Sequence, residues 1–166
     1  MTRIIAALFG ALIGFAGLAT GAQAADWVRL STQWQGADRP LDVTNGGNLN
    51  NYVHLSDWGN YSGQFWQITP DGNWWRLTTQ FRGANMCLDI TNGGPLNNYA
   101  HLAPCGNYSG QLWRFHQEGN WYRLTTQFRG DSMCLDITNG GGYDQMAHLV
   151  PCANYSGQFW RMDAAN

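Results

Sequence analysis

The sequence predicts an all-β fold made of three copies of one unit, and three observations carry that prediction. The chain repeats with a period of 47 residues: WVRLSTQWQGADRPLDVTNGG starts at Trp27, WWRLTTQFRGANMCLDITNGG at Trp74 and WYRLTTQFRGDSMCLDITNGG at Trp121. Short stretches inside each copy alternate with the period-two pattern of strands. The 21 Gly, with Pro104 and Pro151, interrupt the chain too often for long helices.

The second copy shows the elements in order. In residues 75–81 (WRLTTQF), Trp75, Leu77 and Phe81 are sheet-type residues at alternating positions. Residues 87–90 (CLDI) form the next strand, followed by a Thr-Asn-Gly-Gly turn at 91–94. Residues 100–104 (AHLAP), an Asn-Tyr-Ser-Gly turn and residues 111–115 (QLWRF) complete the unit. Four strands per copy make about twelve in all, each too short to close a core alone. Three units are too few for a propeller, which typically has four to eight blades. Three four-stranded units closing around a pseudo-threefold axis make a β-trefoil, with repeats at about 27–73, 74–120 and 121–166.

Composition narrows the functions. Only 12% of the 166 residues are charged, against about 25% in an average soluble protein. All nine positive charges are Arg and the net charge is −2, which does not fit a nucleic-acid partner. An aromatic content of 14% excludes an ordinary disordered chain. Abundant Trp, Tyr, Asn and Gly suit a surface that recognises through rings and amides.

Residues 4–18 form an apolar run between Arg3 and Ala22-Gln23-Ala24, the pattern of a secretory signal peptide. The run is shorter than the roughly 20 residues needed to span a membrane. Residues 1–24 are therefore expected to be removed, leaving residues 25–166 secreted or periplasmic, with no membrane span. Export makes an even cysteine count favour pairing. Cys87 and Cys105 are 18 residues apart, as are Cys134 and Cys152, and none shows C-x-x-C spacing. Four cysteines allow three connectivities, and the repeat chooses between them. The first copy replaces both partners together, by Pro40 and Trp58, so the bridges expected are Cys87–Cys105 and Cys134–Cys152.

Each copy ends in Asn-Tyr-Ser-Gly-Gln-x-Trp. Gln64-Phe65-Trp66, Gln111-Leu112-Trp113 and Gln158-Phe159-Trp160 each lie downstream of Leu-Asp-(Ile/Val). In these motifs the chain resembles the ricin-type β-trefoil lectins, over residues 27–161. The resemblance implies that Trp66, Trp113 and Trp160 pack around the axis. Leu41, Leu88 and Leu135, with Leu55, Leu102 and Leu149, are expected to complete that core.

The resemblance also makes Asp42, Asp89 and Asp136 the main sugar anchors. Strand alternation puts them opposite the preceding core leucines, and a carboxylate accepts two hydrogen bonds from vicinal hydroxyls. The competing role is to cap the neighbouring turn. Asn45, Asn92 and Asn139 either support that carboxylate or tolerate the turn backbone. His54, His101 and His148 stand where such lectins often place a polar sugar contact, although a lone histidine is commonly structural. No metal-ligand pattern appears, and no cofactor is expected.

The departures from the family pattern are specific. Ser56, Ala103 and Val150 occupy a position that is often aromatic in galactose-binding repeats, and Gly63, Gly110 and Gly157 one that is often Asn. Stacking then falls to Tyr61, Tyr108 and Tyr155, or to Tyr52 and Tyr99 beside the histidines. In the third copy Met146 replaces that second tyrosine, so its site is expected to differ. The Asn-Tyr-Ser triplets also match a glycosylation acceptor, but recur with the turn. His116 and Glu118 are unrepeated, and the sequence gives them no evident partners.

Because the notable residues come in threes, the expected function is non-catalytic, multivalent binding of glycans, one shallow site per repeat. The alternative is a protein-interaction trefoil: an adhesion or toxin-complex subunit, or an inhibitor.

Overall fold

A computed structural model describes residues 27–165; the expected signal peptide lies outside them. Twelve strands are present among the described residues. The first repeat contributes β1 (Val28–Thr32), β2 (Leu41–Val43), β3 (Val53–Leu55) and β4 (Trp66–Asp71). The second contributes β5 (Trp74–Thr79), β6 (Gly83–Ile90), β7 (Ala100–Pro104) and β8 (Trp113–Glu118). The third contributes β9 (Trp121–Thr126), β10 (Met133–Ile137), β11 (Ala147–Pro151) and β12 (Trp160–Ala164).

The antiparallel pairings β1–β4, β4–β5, β5–β8, β8–β9, β9–β12 and β12–β1 run in a closed ring, so six strands form a barrel without free edges. The remaining strands form three hairpins, β2–β3, β6–β7 and β10–β11. A six-stranded barrel with three hairpins in threefold repetition is a β-trefoil.

The expected core is observed. Trp66, Trp113 and Trp160 are fully buried, as are Leu41, Leu88 and Leu135, with Leu30, Leu77 and Leu124 added from the barrel strands. Burial of an indole requires a partner for its N–H. Each tryptophan Nε1 donates to the carbonyl of its repeat's core leucine, Leu41, Leu88 or Leu135, at 2.9, 2.8 and 2.8 Å. Both expected bridges are formed, Cys87–Cys105 and Cys134–Cys152, with Cα separations of 5.0 and 4.9 Å. In the first repeat the corresponding backbone is held by Ser56 N–H to Pro40 O and Trp58 N–H to Asp38 O. Trp58 itself is exposed under the Arg29 guanidinium, 4.6 Å from its ring centre.

Two strand expectations need correction. The strand starting at Trp74 ends at Thr79, because Gln80 and Phe81 turn away to bond Phe65 O and Ser62 O. The strand expected from Gln111 begins at Trp113, since Ser109–Gln111 form a 3-10 turn. Both shifts recur in the other repeats and both shape the site.

Candidate functional site

Three recesses recur around the barrel, of about 390, 360 and 420 Å³ in repeat order. The first is lined by Asp42, Asn45, Asn60, Tyr61, Gly63 and Phe81, among others. The second has Asp89, Asn92, Asn107, Tyr108, Gly110 and Phe128. The third has Asp136, Asn139, Asn154, Tyr155, Gly157 and Trp34. Expected aspartates, turn asparagines and loop tyrosines are thus brought together three times.

Each aspartate is held rigidly. Its Oδ1 accepts from the next residue's backbone N–H, at 2.7 Å in all three copies. Its Oδ2 accepts from the Nε2 of the Gln-x-Trp glutamine, at 3.1, 2.9 and 3.0 Å for Gln64, Gln111 and Gln158. Those glutamines are completely buried. The Gln111 amide also donates to Pro104 O and accepts from Gly106 N–H and Arg76 Nη1, leaving it no freedom to turn. In the first repeat Ser56 Oγ adds a 2.8 Å bond to Asp42 Oδ2. Ser56, where the other repeats have Ala103 and Val150, therefore supports the carboxylate.

Gly63, Gly110 and Gly157 explain their own departure. None has a left-handed φ; instead, a Cβ on each would overlap Oδ1 of the facing aspartate. A side chain there is incompatible with this carboxylate position. The capping role considered for the aspartates falls to others: Asn50, Asn97 and Asp144 accept from the N–H of Gly46, Gly93 and Gly140. The Gly140 N–H bond, with the Gln145 amide, holds the Asp144 carboxyl below its ordinary value.

The histidines do not line the recesses. His54, His101 and His148 stand directly across the hairpins from the aspartates. Nδ1 of His54 and His101 is tied to Thr44 and Thr91 at 3.1 and 3.0 Å. Tyr52 packs on His101 and Tyr99 on His148, with ring centres 5.4 and 5.1 Å apart, each pair joining successive repeats. His54 meets Met146 instead. Burial pushes all three imidazoles below their ordinary value, opposed by Asp42, Asp89 and Asp136. This belt ties the hairpins to one another.

The sequence reading missed the aromatic wall. Phe81, Phe128 and Trp34 each line a recess whose aspartate belongs to the preceding repeat, with the third repeat closing onto the first. Their N–H groups donate to the carbonyls of Ser62, Ser109 and Ser156 in the Asn-Tyr-Ser-Gly turns. The recurrence of T-Q-(Phe/Trp) was visible in the sequence, but alternation assigned that aromatic to the strand. Each recess thus offers a fixed carboxylate, amides, and two aromatic side chains, of which Tyr61, Tyr108 and Tyr155 are about 60% exposed. That combination accepts hydroxyl protons and covers the C–H face of a ring.

The closed trefoil thus presents one carboxylate recess per repeat. The family described as the ricin-type beta-trefoil lectin domain matches residues 74–166, and the chain belongs to this family. No curated protein sequence matches it. Among solved structures, a mosquitocidal holotoxin superposes with a TM-score of 0.72 at 14% identity, over 86% of this chain and 17% of that one. The chain therefore spans about a sixth of that toxin's length. The designed threefold-symmetric protein ThreeFoil gives 0.67 at 20% identity, over 82% and 96% of the two chains. The Macrolepiota procera ricin B-like lectin, solved with lactose, gives 0.63 at 16% identity, over 88% and 100%.

Proposed function

We propose that this protein is a secreted, non-catalytic lectin that binds glycans at up to three shallow sites and gains useful affinity by multivalency. The observation that carries the reading is the threefold recurrence of one recess, with its aspartate clamped between a backbone N–H and a buried glutamine. A preorganised carboxylate spends little freedom on binding hydroxyls. Membership of the lectin family and the fold shared with a lactose-bound lectin support the same reading. Two disulfides suit an oxidising compartment, and among the described residues no helix is long and apolar enough to cross a membrane.

Asp42, Asp89 and Asp136 anchor the sugar. Asn45, Asn92 and Asn139 contribute amides, and Tyr61, Tyr108 and Tyr155 cover the ring, while the three histidines act on the site only through the hairpins. A glycan array probed with the protein and its Tyr61→Ala, Tyr108→Ala and Tyr155→Ala variants tests this. Each substitution is expected to weaken binding to a polyvalent glycan, by about 2- to 10-fold per site for a lost ring contact. An array without any bound glycan, or binding indifferent to removal of all three rings, refutes the reading.

A further inference from the structure

Beside the third recess lies another cavity, of about 550 Å³, and Asn154 lines both. His116 and Glu118 on β8, Arg123 and Thr125 on β9, and Asp131 in the following turn form its polar wall. One period earlier, Glu118, Arg123 and Thr125 have the counterparts Asp71, Arg76 and Thr78, but His116 becomes Thr69 and Asp131 becomes Ala84. His116 from the second repeat and Asp131 from the third are what the junction between these two repeats adds.

His116, without an evident partner in the sequence, meets Asp131 through Thr125. His116 Nε2 lies 2.9 Å from Thr125 Oγ1, and that hydroxyl donates to Asp131 Oδ1 at 3.2 Å. A hydroxyl has one proton, so with Thr125 donating to Asp131 the imidazole is the donor at Nε2. The group is not a catalytic triad. Asp131 faces the same nitrogen that meets the hydroxyl, at 3.4 Å, whereas an orienting acid must hold the other one.

The charges in this wall are paired. Arg114 Nη1 lies 3.1 Å from Asp131 Oδ2 and Arg123 Nε 2.6 Å from Glu118 Oε1. The cavity is thus rich in donors and acceptors yet balanced in formal charge. Hydroxyls, which both donate and accept, fit such a wall. A carboxylate or ammonium substituent has to displace one member of an ion pair. The adjoining recess differs as well: its ring is Trp34 followed by Gln35, whereas Arg82 and Arg129 lie over Phe81 and Phe128, 4.1 Å from each ring centre.

We infer that the junction of the second and third repeats adds a subsite beside the third recess, so that this recess takes an oligosaccharide whose second residue is an uncharged hexose, while the other two recesses read a single sugar unit. This rests on the carbohydrate-binding reading above. The test is a two-dimensional NMR titration of the isotope-labelled protein, which reads the recesses separately through Trp34 and the side-chain amides of Asn60, Asn107 and Asn154. The probes are galactose, glucose, lactose, cellobiose and digalacturonic acid.

The expected result is about tenfold tighter binding of a neutral disaccharide than of its monosaccharide at Trp34 and Asn154, equivalent to about 1.4 kcal/mol. No such gain is expected at Asn60 or Asn107, or with digalacturonic acid. The double variant His116→Thr/Asp131→Ala installs the residues that the same fold carries at the junction of the first and second repeats, Thr69 and Ala84. It is expected to lose the disaccharide gain and keep monosaccharide binding. A gain that survives in this variant, is equal at all three recesses, is greatest for digalacturonic acid, or is absent everywhere while monosaccharides bind, overturns the inference alone. No response at any recess to any probe overturns the carbohydrate reading as well.

Discussion

Replacing Gly110 by alanine should damage the second recess specifically. The new Cβ overlaps Asp89 Oδ1 and stands 3.2 Å from Ile90 N, so the carboxylate has to rotate away. Rotation breaks the 2.7 Å bond from Ile90 N–H and strains the 2.9 Å bond from Gln111 Nε2. A hydrogen bond to a charged group contributes about 1.5–3 kcal/mol, so losing one removes much of what fixes this carboxylate. Overpacking should also lower overall stability by about 1–3 kcal/mol. Gly142→Ala is the control, because nothing lies within 4 Å of its added Cβ. Urea denaturation reads the stability, and NMR at the Ile90 amide reads the site. A Gly110→Ala protein within about 0.5 kcal/mol of the parent, the range of an ordinary surface change, with an unmoved Ile90 amide, refutes the reasoning.

Three further outcomes follow from the same geometry. Gln111→Ala removes a buried amide and leaves Asp89 Oδ2, Pro104 O and Gly106 N–H, all at least partly accessible to water, without their partner, and chemical denaturation should show a loss of about 1–3 kcal/mol. Replacing Cys134 and Cys152 together by alanine opens a loop of nearly 20 residues and should cost about 3 kcal/mol by the same measurement, without moving signals of the first repeat. His54, His101 and His148 have folded pKa values depressed by burial below the ordinary 6.5, so the unfolded chain takes up protons first as the pH falls. Their contribution is therefore complete above pH 6.5 and is lost as the pH drops through the folded values. Urea midpoints between pH 7.5 and 5 should decline, and a His54→Gln/His101→Gln/His148→Gln protein should flatten that decline.

Much of this architecture was legible because a core side chain announces itself by repetition and by apolar type. The fully buried Trp66, Trp113 and Trp160, and the leucines of the hairpins, needed only the period of the repeat. The bridges were legible for another reason: Pro40 and Trp58 replace both partners of a pair at once. The aspartates could be named, but not the way they are held, since Gln111 reaches Asp89 across 22 positions of chain. Phe81 was misread because alternation describes a strand and says nothing about where it stops. What stops it is a bond to Ser62 O in the preceding repeat, a tertiary fact. The histidines illustrate the reverse problem. Their position opposite the aspartates is fixed by register, yet Thr44, Thr91 and the neighbouring tyrosines decide where the rings go.

Each recess borrows its aromatic wall from the next repeat, and the third borrows Trp34 from the first. A single 47-residue unit therefore carries the carboxylate of one site and the wall of another, and completes neither. The smallest object with all three recesses complete is the closed ring. Each recess is completed by packing across a repeat junction. The first and last strands already lie side by side, with Ala165 N–H bonded to Trp27 O. A chain opened at Trp74 and rejoined through those ends would keep every junction, while one shortened by a repeat would break the ring on which all three depend.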